Sequence, residues 1–438
     1  MLNRTLDQPT EQGRLKAHGI HPEIREWLIG AIWASGLQVR ACFDFWGAEQ
    51  VYNYETADAE WSSIMIRVRH PGVIRQLIED RDPLSAVEAL LSEQLSFVGA
   101  IDHAVALYCC LASTQFKPSN EVLAWCQSLP DLPALSELQA AWRKFPTHSA
   151  ERDKAVVQAH YDISNDFYRL WLDPLWVYSC AHFEDPDGTL ADAQKAKLDL
   201  ICRKLRLEPG EQFLDIGCGW GALLRWAVTN YGVSAHGITL SEEQLAFNRR
   251  WIAEEGLGDR IRVDLLDYRD LPRDPAYDKI ASIGMMEHVG IKNYTTYFRS
   301  AIAALKPNGL FLNHGITLNE LFEPQIRFIN RYIFPDGECA HVSTYLKAAR
   351  DAGWEIVDVD SWRPHYAKTL RCWQANLERS SDQAVALVGE RVVRLWQLYF
   401  ILCAQCFECG TNGVYQMLLR RAADRKWNLP LTREQWLC

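Results

Sequence analysis

Five stretches of this sequence place reactive residue types at spacings that suit chemistry. The first is Phe213-Leu-Asp-Ile-Gly-Cys-Gly-Trp-Gly-Ala222, an apolar strand running into a glycine-dense turn. Helical apolar spacing follows at Leu223, Leu224, Trp226 and Ala227. A strand, turn and helix of this kind form a nucleotide-type pocket at the strand's carboxyl end. Glycine lets the turn reverse sharply and lets a ligand lie against bare backbone. The turn itself offers Asp215, Gly217, Cys218, Gly219, Trp220 and Gly221. The other candidates are the pair Glu287-His288, the strand-end His314, the lone Tyr366, and Cys403, Cys406 and Cys409 in a C-x-x-C-x-x-C run. Each has an ordinary alternative: a helix-terminal ion pair, a satisfied core histidine, a packed tyrosine. A zinc site wants four ligands, and the cysteines lack an obvious fourth. Their helical setting (Leu395, Tyr399, Leu402, Phe407) favours buried structural thiols.

Two ligands compete for the glycine turn. Gly217, Gly219 and Ala222 fit the dinucleotide fingerprint. That ligand wants an acid about 20 residues on to hold the ribose. The next strand, Ser234–Thr239, instead ends in Thr239-Leu240-Ser241. Glu242 and Glu243 read as the first turn of a helix capped by Ser241. The acid before the glycines and the close third glycine favour S-adenosylmethionine, which has no phosphates to cradle.

The elements that must position these residues are legible in the patterning. Strands are expected at Gln212–Ile216, Ser234–Thr239, Ile261–Leu265, Lys279–Ile283 and Leu310–His314, with helices between them, such as Ser241–Glu255 and Asn293–Leu305. The alternation predicts a parallel, doubly wound α/β sheet with ligands at its carboxyl edge. From about Leu318 to Ser381 the alternation breaks, and the remainder reads as an aromatic helical cap. Upstream, residues 1–145 read as a small α+β domain with linker. Its pieces are a tryptophan-rich helix from Ile24 to Ser35, strands at Leu37–Phe45 and Trp61–Val68, and helical patterns at Val73–Ile78 and Leu84–Leu111. The proline-punctuated stretch Lys117–Ser149 reads as linker with some helix. Residues 146–438 form the second domain, with its core at about 210–316.

Composition narrows the function classes. Apolar residues at 48% and charged residues at 23% describe a globular chain. A formal charge of −10 excludes a nucleic-acid binder and gives no pull toward anionic membranes. No apolar run approaches the ~20 residues of a membrane span. Met-Leu-Asn-Arg-Thr-Leu-Asp-Gln lacks a signal-peptide core, so a cytoplasmic setting with reduced cysteines is expected.

Eight motifs then stand in order. They are His160-Tyr-Asp-Ile-Ser-Asn-Asp-Phe-Tyr168, Tyr178-Ser-Cys-Ala-His-Phe183, Leu214-Asp-Ile-Gly-Cys-Gly-Trp-Gly221, Thr239-Leu-Ser-Glu-Glu-Gln244, Asp267-Tyr-Arg-Asp270, Gly284-Met-Met-Glu-His-Val-Gly290, Tyr332-Ile-Phe-Pro-Asp-Gly337 and His365-Tyr-Ala-Lys-Thr-Leu370. Together they resemble the cyclopropane-fatty-acid synthase family, including its mycolic-acid branch, over about residues 155–420. The resemblance implies a Rossmann-like methyltransferase sheet with a helical cap. It implies methyl transfer from S-adenosylmethionine to a cis double bond of an unsaturated fatty acyl phospholipid, at the inner face of the membrane, by a homodimer. It places the methyl donor at Tyr178 and Ser179, Asp215 to Gly221, Thr239 to Gln244 (with Gln244 reaching toward the ribose), and Asp267, Tyr268 and Arg269. It implies a bound bicarbonate acting as base, held by Cys180 through its backbone, Glu287, His314, Ile316 and Tyr366. Aromatic side chains at Tyr161, Phe167, Tyr168, Tyr178, Trp220 and Tyr366 would face a carbocation.

The sequence departs from the family at three places. Asn313-His-Gly-Ile-Thr317 lacks the family threonine, Glu338-Cys-Ala-His-Val-Ser343 replaces a Pro-Ser pair, and Phe407 to Gln416 diverges. In relatives these positions serve the acyl side, so the donor motifs are intact while acyl chain and product stay open. A methyl-branched or methylene product, or a soluble small-molecule substrate, are the alternatives on the same fold. A non-catalytic lipid-binding scaffold is the alternative from another class.

Overall fold

The computed structural model describes residues 19–34, 39–47, 49–52, 62–79, 84–99, 101–113, 116–132, 147–154 and 164–434. His160 to Ile163, Tyr161 among them, and residues 133–146 of the expected linker lie outside the described residues. The chain divides into two units. One is Met1–Gln139 with Glu323–Phe328, and the other is Ala140–Phe322 with Ile329–Cys438.

The first unit is α+β. Its sheet has the order β2-β1-β3-β4, from β1 (Val39–Phe45), β2 (Glu49–Tyr52), β3 (Ser62–Val68) and β4 (Leu95–Val98). The expected helix from Leu84 to Leu111 is broken by β4 into Leu84–Leu91 and Ile101–Ser113. The turn before β4 places Glu93 at positive φ, +63°, which a continuous helix does not allow. The expected linker holds a helix of its own, Asn120–Ser128. Ser119 Oγ caps it, accepting from Val122 N at 3.2 Å, and Val122 and Cys126 enter the core of this unit. Trp27 stacks on Phe116 at 4.8 Å and packs against the same core.

The second unit is built on a seven-stranded sheet of order β10-β11-β9-β8-β5-β6-β7. Five strands are parallel: β5 (Gln212–Ile216), β6 (Ser234–Thr239), β7 (Ile261–Leu265), β8 (Tyr277–Ile283) and β9 (Leu305–Leu318). Their side chains alternate between two apolar layers. Phe213, Ala281 and Leu312 enter one, and Leu214, Ile280 and Phe311 the other. Burial on both faces leaves β5 and β8 without a polar-out alternation, and the polar side chains of Asp215, Lys279 and Ser282 within them are themselves buried.

Beyond β9 the sequence expectation of a purely helical cap needs correction. β10 (Trp354–Ser361) and β11 (Asn412–Arg421) extend the sheet antiparallel, β11 on β9 and β10 on β11. β10 is an edge strand carrying Asp358 and Asp360, whereas β11 is buried and holds Met417-Leu-Leu419 before Arg420-Arg421. Between them run the cap helices Arg363–Arg379, Ser381–Val388 and Glu390–Cys409. Glu390–Cys409 is long and apolar enough to cross a membrane, yet Trp396, Phe400, Cys403 and Cys406 along it are buried. Cys409 is exposed, and no metal-holding cluster occurs among the described residues.

Candidate active site

The glycine turn takes its shape from three left-handed residues: Gly217 at φ +81°, Gly219 at +54° and Gly221 at +83°. The Gly217 and Cys218 amides both donate to Ile238 O at 3.0 Å, fixing the turn to the end of β6. A cavity opens there, lined by Tyr178, Ser179, Asp215, Gly217 to Trp220, Thr239, Leu240, Gln244 and Asp267 to Arg269. Two of the expected ligands do not line it. Gly221 begins the Ala222–Tyr231 helix, and a Cβ there would stand 2.1 Å from Asn248 Oδ1. Ser241 spends its hydroxyl on the Gln244 amide, 3.2 Å, as the helix cap.

Polar groups around the cavity are tied to one another. Thr239 Oγ1 donates to Gln244 Oε1 at 2.8 Å, which orients the buried amide. Asn248 Nδ2 donates to Gly219 O at 2.8 Å and to Gln244 O at 2.7 Å, joining the turn to the helix after β6. Arg269 donates to Asp267 Oδ2 at 2.8 Å and to Asp153 Oδ2 at 2.7 Å. Asp215 is buried, its Oδ1 has no partner, and burial pushes its carboxyl up to about 7 against the pull of Lys197.

Cys180, Glu287, His314, Ile316 and Tyr366 are not among the residues lining this cavity. Glu287 Oε1 accepts from the Ile316 amide at 2.7 Å, and Oε2 is buried without a partner. Burial pushes the Glu287 carboxyl up to about 7. Ile316, expected to offer its backbone to an anion, therefore has its amide committed to Glu287. His314 is buried with neither ring nitrogen partnered, and burial drags it down to about 3. It is a neutral imidazole with one donor and one acceptor. Trp362 touches two of these residues: its ring meets His314 edge-on at 5.4 Å, and its carbonyl faces Cys180 Sγ at 3.9 Å. Cys180 is fully buried, and burial holds its thiol well above the usual range, so it is no nucleophile. Tyr366 is buried against Phe407, 4.7 Å between rings. Its hydroxyl is held far from ionisation by burial first and by the charges of Tyr399, Cys180 and Glu287 after it.

A family model described as mycolic acid cyclopropane synthetase matches residues 148–417. The chain belongs to this family. It is 46% identical over 294 residues to a "Probable fatty acid methyltransferase" of Pseudomonas putida, covering 66% of this chain and 75% of that protein. It is 39% identical over 280 residues to cyclopropane mycolic acid synthase 1 of Mycobacterium tuberculosis, covering 61% of this chain and 97% of that protein. Among solved structures, the cyclopropane synthase MmaA2 of Mycobacterium tuberculosis is similar with a TM-score of 0.59 at 38% identity, over 61% of this chain and 97% of its own. The mycolic acid cyclopropane synthase CmaA1, complexed with SAH and CTAB, gives the same TM-score and identity over 98% of its own chain.

Within this family member, Phe167 and Tyr168 turn out to be core. Both are fully buried and packed edge-on or tilted against Trp171 and Trp396. Sequence reading missed Asn248, Lys197, Asp153 and Trp362. Asn248 had a signal, since it stands four residues after Gln244 on the inward helical face. Trp362 had none, because it gains its place only through the antiparallel strands. Cys339, at one of the departures, is brought beside Glu287 by the Glu338 amide, which donates to Glu287 O at 2.9 Å.

Proposed function

We propose that the protein transfers a methyl group from S-adenosylmethionine to the cis double bond of an unsaturated fatty acyl chain in a phospholipid and closes a cyclopropane ring. The observation that carries this reading is Glu287 with His314. Both are buried, and between them they carry three unpartnered polar atoms, Glu287 Oε2 and the two His314 ring nitrogens. Such atoms are costly unless something small and polar engages them. A bicarbonate fits that donor and acceptor set. Glu287 Oε2 would accept its proton, while His314 and the Tyr366 hydroxyl would meet its oxygens. When bound it supplies a base for the proton that the methylated carbocation must lose. The chain's own part is to hold Glu287 by the Ile316 amide, to keep His314 neutral, and to place Tyr178, Trp220 and Tyr366 as aromatic surface near developing positive charge. Asp215 and Gln244 would hold the methyl donor's amino-acid arm and ribose.

The relative named as a fatty acid methyltransferase, together with the Cys339 departure beside Glu287, favours a second outcome on the same site: the methylated cation loses a different proton, which leaves a methyl-branched or methylene alkene in place of the ring. Lipid mass spectrometry of cells expressing the wild type beside Glu287→Gln tests both. The wild type is expected to add one CH₂ to unsaturated acyl chains, and the variant to lose most of that product. Chromatographic separation tells ring from branch. An unchanged fatty-acid profile with the wild type would sink the reading.

A further inference from the structure

Lys197 carries charge where charge is costly. It sits on the Leu190–Leu205 helix in line with Ala193, Gln194, Leu198 and Ile201, and it is 2% exposed. Such a stripe ordinarily holds apolar side chains. Its ammonium lines the glycine-turn cavity and donates to Ser179 Oγ at 2.9 Å. Gln194 Nε2 fixes the same residue by donating to Ser179 O at 2.9 Å. An ammonium has three protons to give, and among the described residues Lys197 forms no ion pair. Asp215 enters the same cavity from the end of β5, with its Oδ1 buried and unpartnered. Burial lowers Lys197 to about 8, opposed by the charges of Asp173, Cys180 and Asp215. An ammonium and a carboxyl thus line one cavity without forming an ion pair among the described residues. Desolvated charges left this way favour a ligand that brings both complements.

We propose that Lys197 receives the carboxylate of the methyl donor's amino-acid arm while Asp215 receives its ammonium, so that the pair reads the zwitterion. This rests on the donor being S-adenosylmethionine. Ser179 then serves to aim Lys197, and the helix before β5 becomes part of the donor site. A buried site built for a charged group discriminates strongly against an analogue lacking it, because its own groups stay unpaired.

Calorimetric titration of the full chain tests the assignment with two probes, S-adenosylhomocysteine and its decarboxylated analogue. The wild type is expected to bind the first about 10- to 100-fold more tightly. Lys197→Met should weaken S-adenosylhomocysteine by a similar factor and leave the decarboxylated analogue unaffected, and Lys197→Arg should recover part of the loss. Equal weakening of both probes would mean that Lys197 only props Ser179, and that result overturns the assignment. Should Lys197→Met not fold, the wild-type comparison decides: equal affinity for the two probes overturns it. No binding of S-adenosylhomocysteine by the wild type would instead remove the donor reading itself.

Discussion

Asp215 and Glu287 share a physical problem that defines both sites: each is a carboxyl buried with one oxygen unpartnered. Burial raises the first from 3.8 and the second from 4.5, both to about 7. In each case the folded protein holds a proton that the unfolded chain has released across that interval. The cost of ionising the buried group therefore grows as pH rises from about 4 to about 7 and is constant above. Asp215→Asn removes the cost. In ligand-free protein, the variant's stability relative to wild type should rise by on the order of 3 kcal/mol between pH 4 and pH 8. Urea unfolding across that range measures it, and a flat difference would show that Asp215 is solvated. The same variant should bind S-adenosylhomocysteine more weakly, since a site kept for function is destabilising without its ligand. The sequence revealed both carboxyls through their motifs. It could not reveal that the Ile316 amide is spent on Glu287 or that His314 is neutral, because both follow from burial.

At the scale of elements, the three turn glycines divide by what a side chain would meet. Gly221 has φ +83°, and a Cβ there would reach Asn248 Oδ1 at 2.1 Å and Trp251 Cζ2 at 2.8 Å. Gly219 has φ +54° with no protein atom within 4 Å of such a Cβ. Gly221→Ala should cost roughly 2–4 kcal/mol, from left-handed backbone strain and overpacking. Gly219→Ala should cost about 1 kcal/mol of stability, yet lose S-adenosylhomocysteine binding, because its methyl group points into the cavity. Thermal melting read beside ligand titration separates the two. If both variants bind normally, the turn does not face the donor. The five parallel strands were readable because short apolar segments, such as Phe213-Leu214, Ile280-Ala281 and Leu310-Phe-Leu312, alternate with helical patterns along the chain. The two antiparallel strands were not, since β10 is an exposed edge and β11 follows three successive cap helices with no strand–helix alternation to mark it. Trp362, between β10 and the cap, was lost with them.

At the scale of the whole molecule, the first unit is more than an N-terminal appendage. The chain leaves the second unit after β9 to add Glu323–Phe328 to the first, where Phe328 is buried, and then returns for β10 and the cap. The prolines of the sequence suggested a boundary near residue 145, and the chain divides between Gln139 and Ala140. The sequence hid the excursion, because six residues are too few for a period to register. Donor-cavity residues all belong to the second unit, whereas the proposed phospholipid substrate would be taken from a bilayer. With a formal charge of −10 that step gains nothing from anionic headgroups and must rest on apolar contact. A chain lacking residues 1–139 should therefore bind S-adenosylhomocysteine as the full protein does. It should lose turnover on phospholipid vesicles. Undiminished vesicle turnover would show that the first unit has no part in handling lipid and that the cap alone admits the acyl chain.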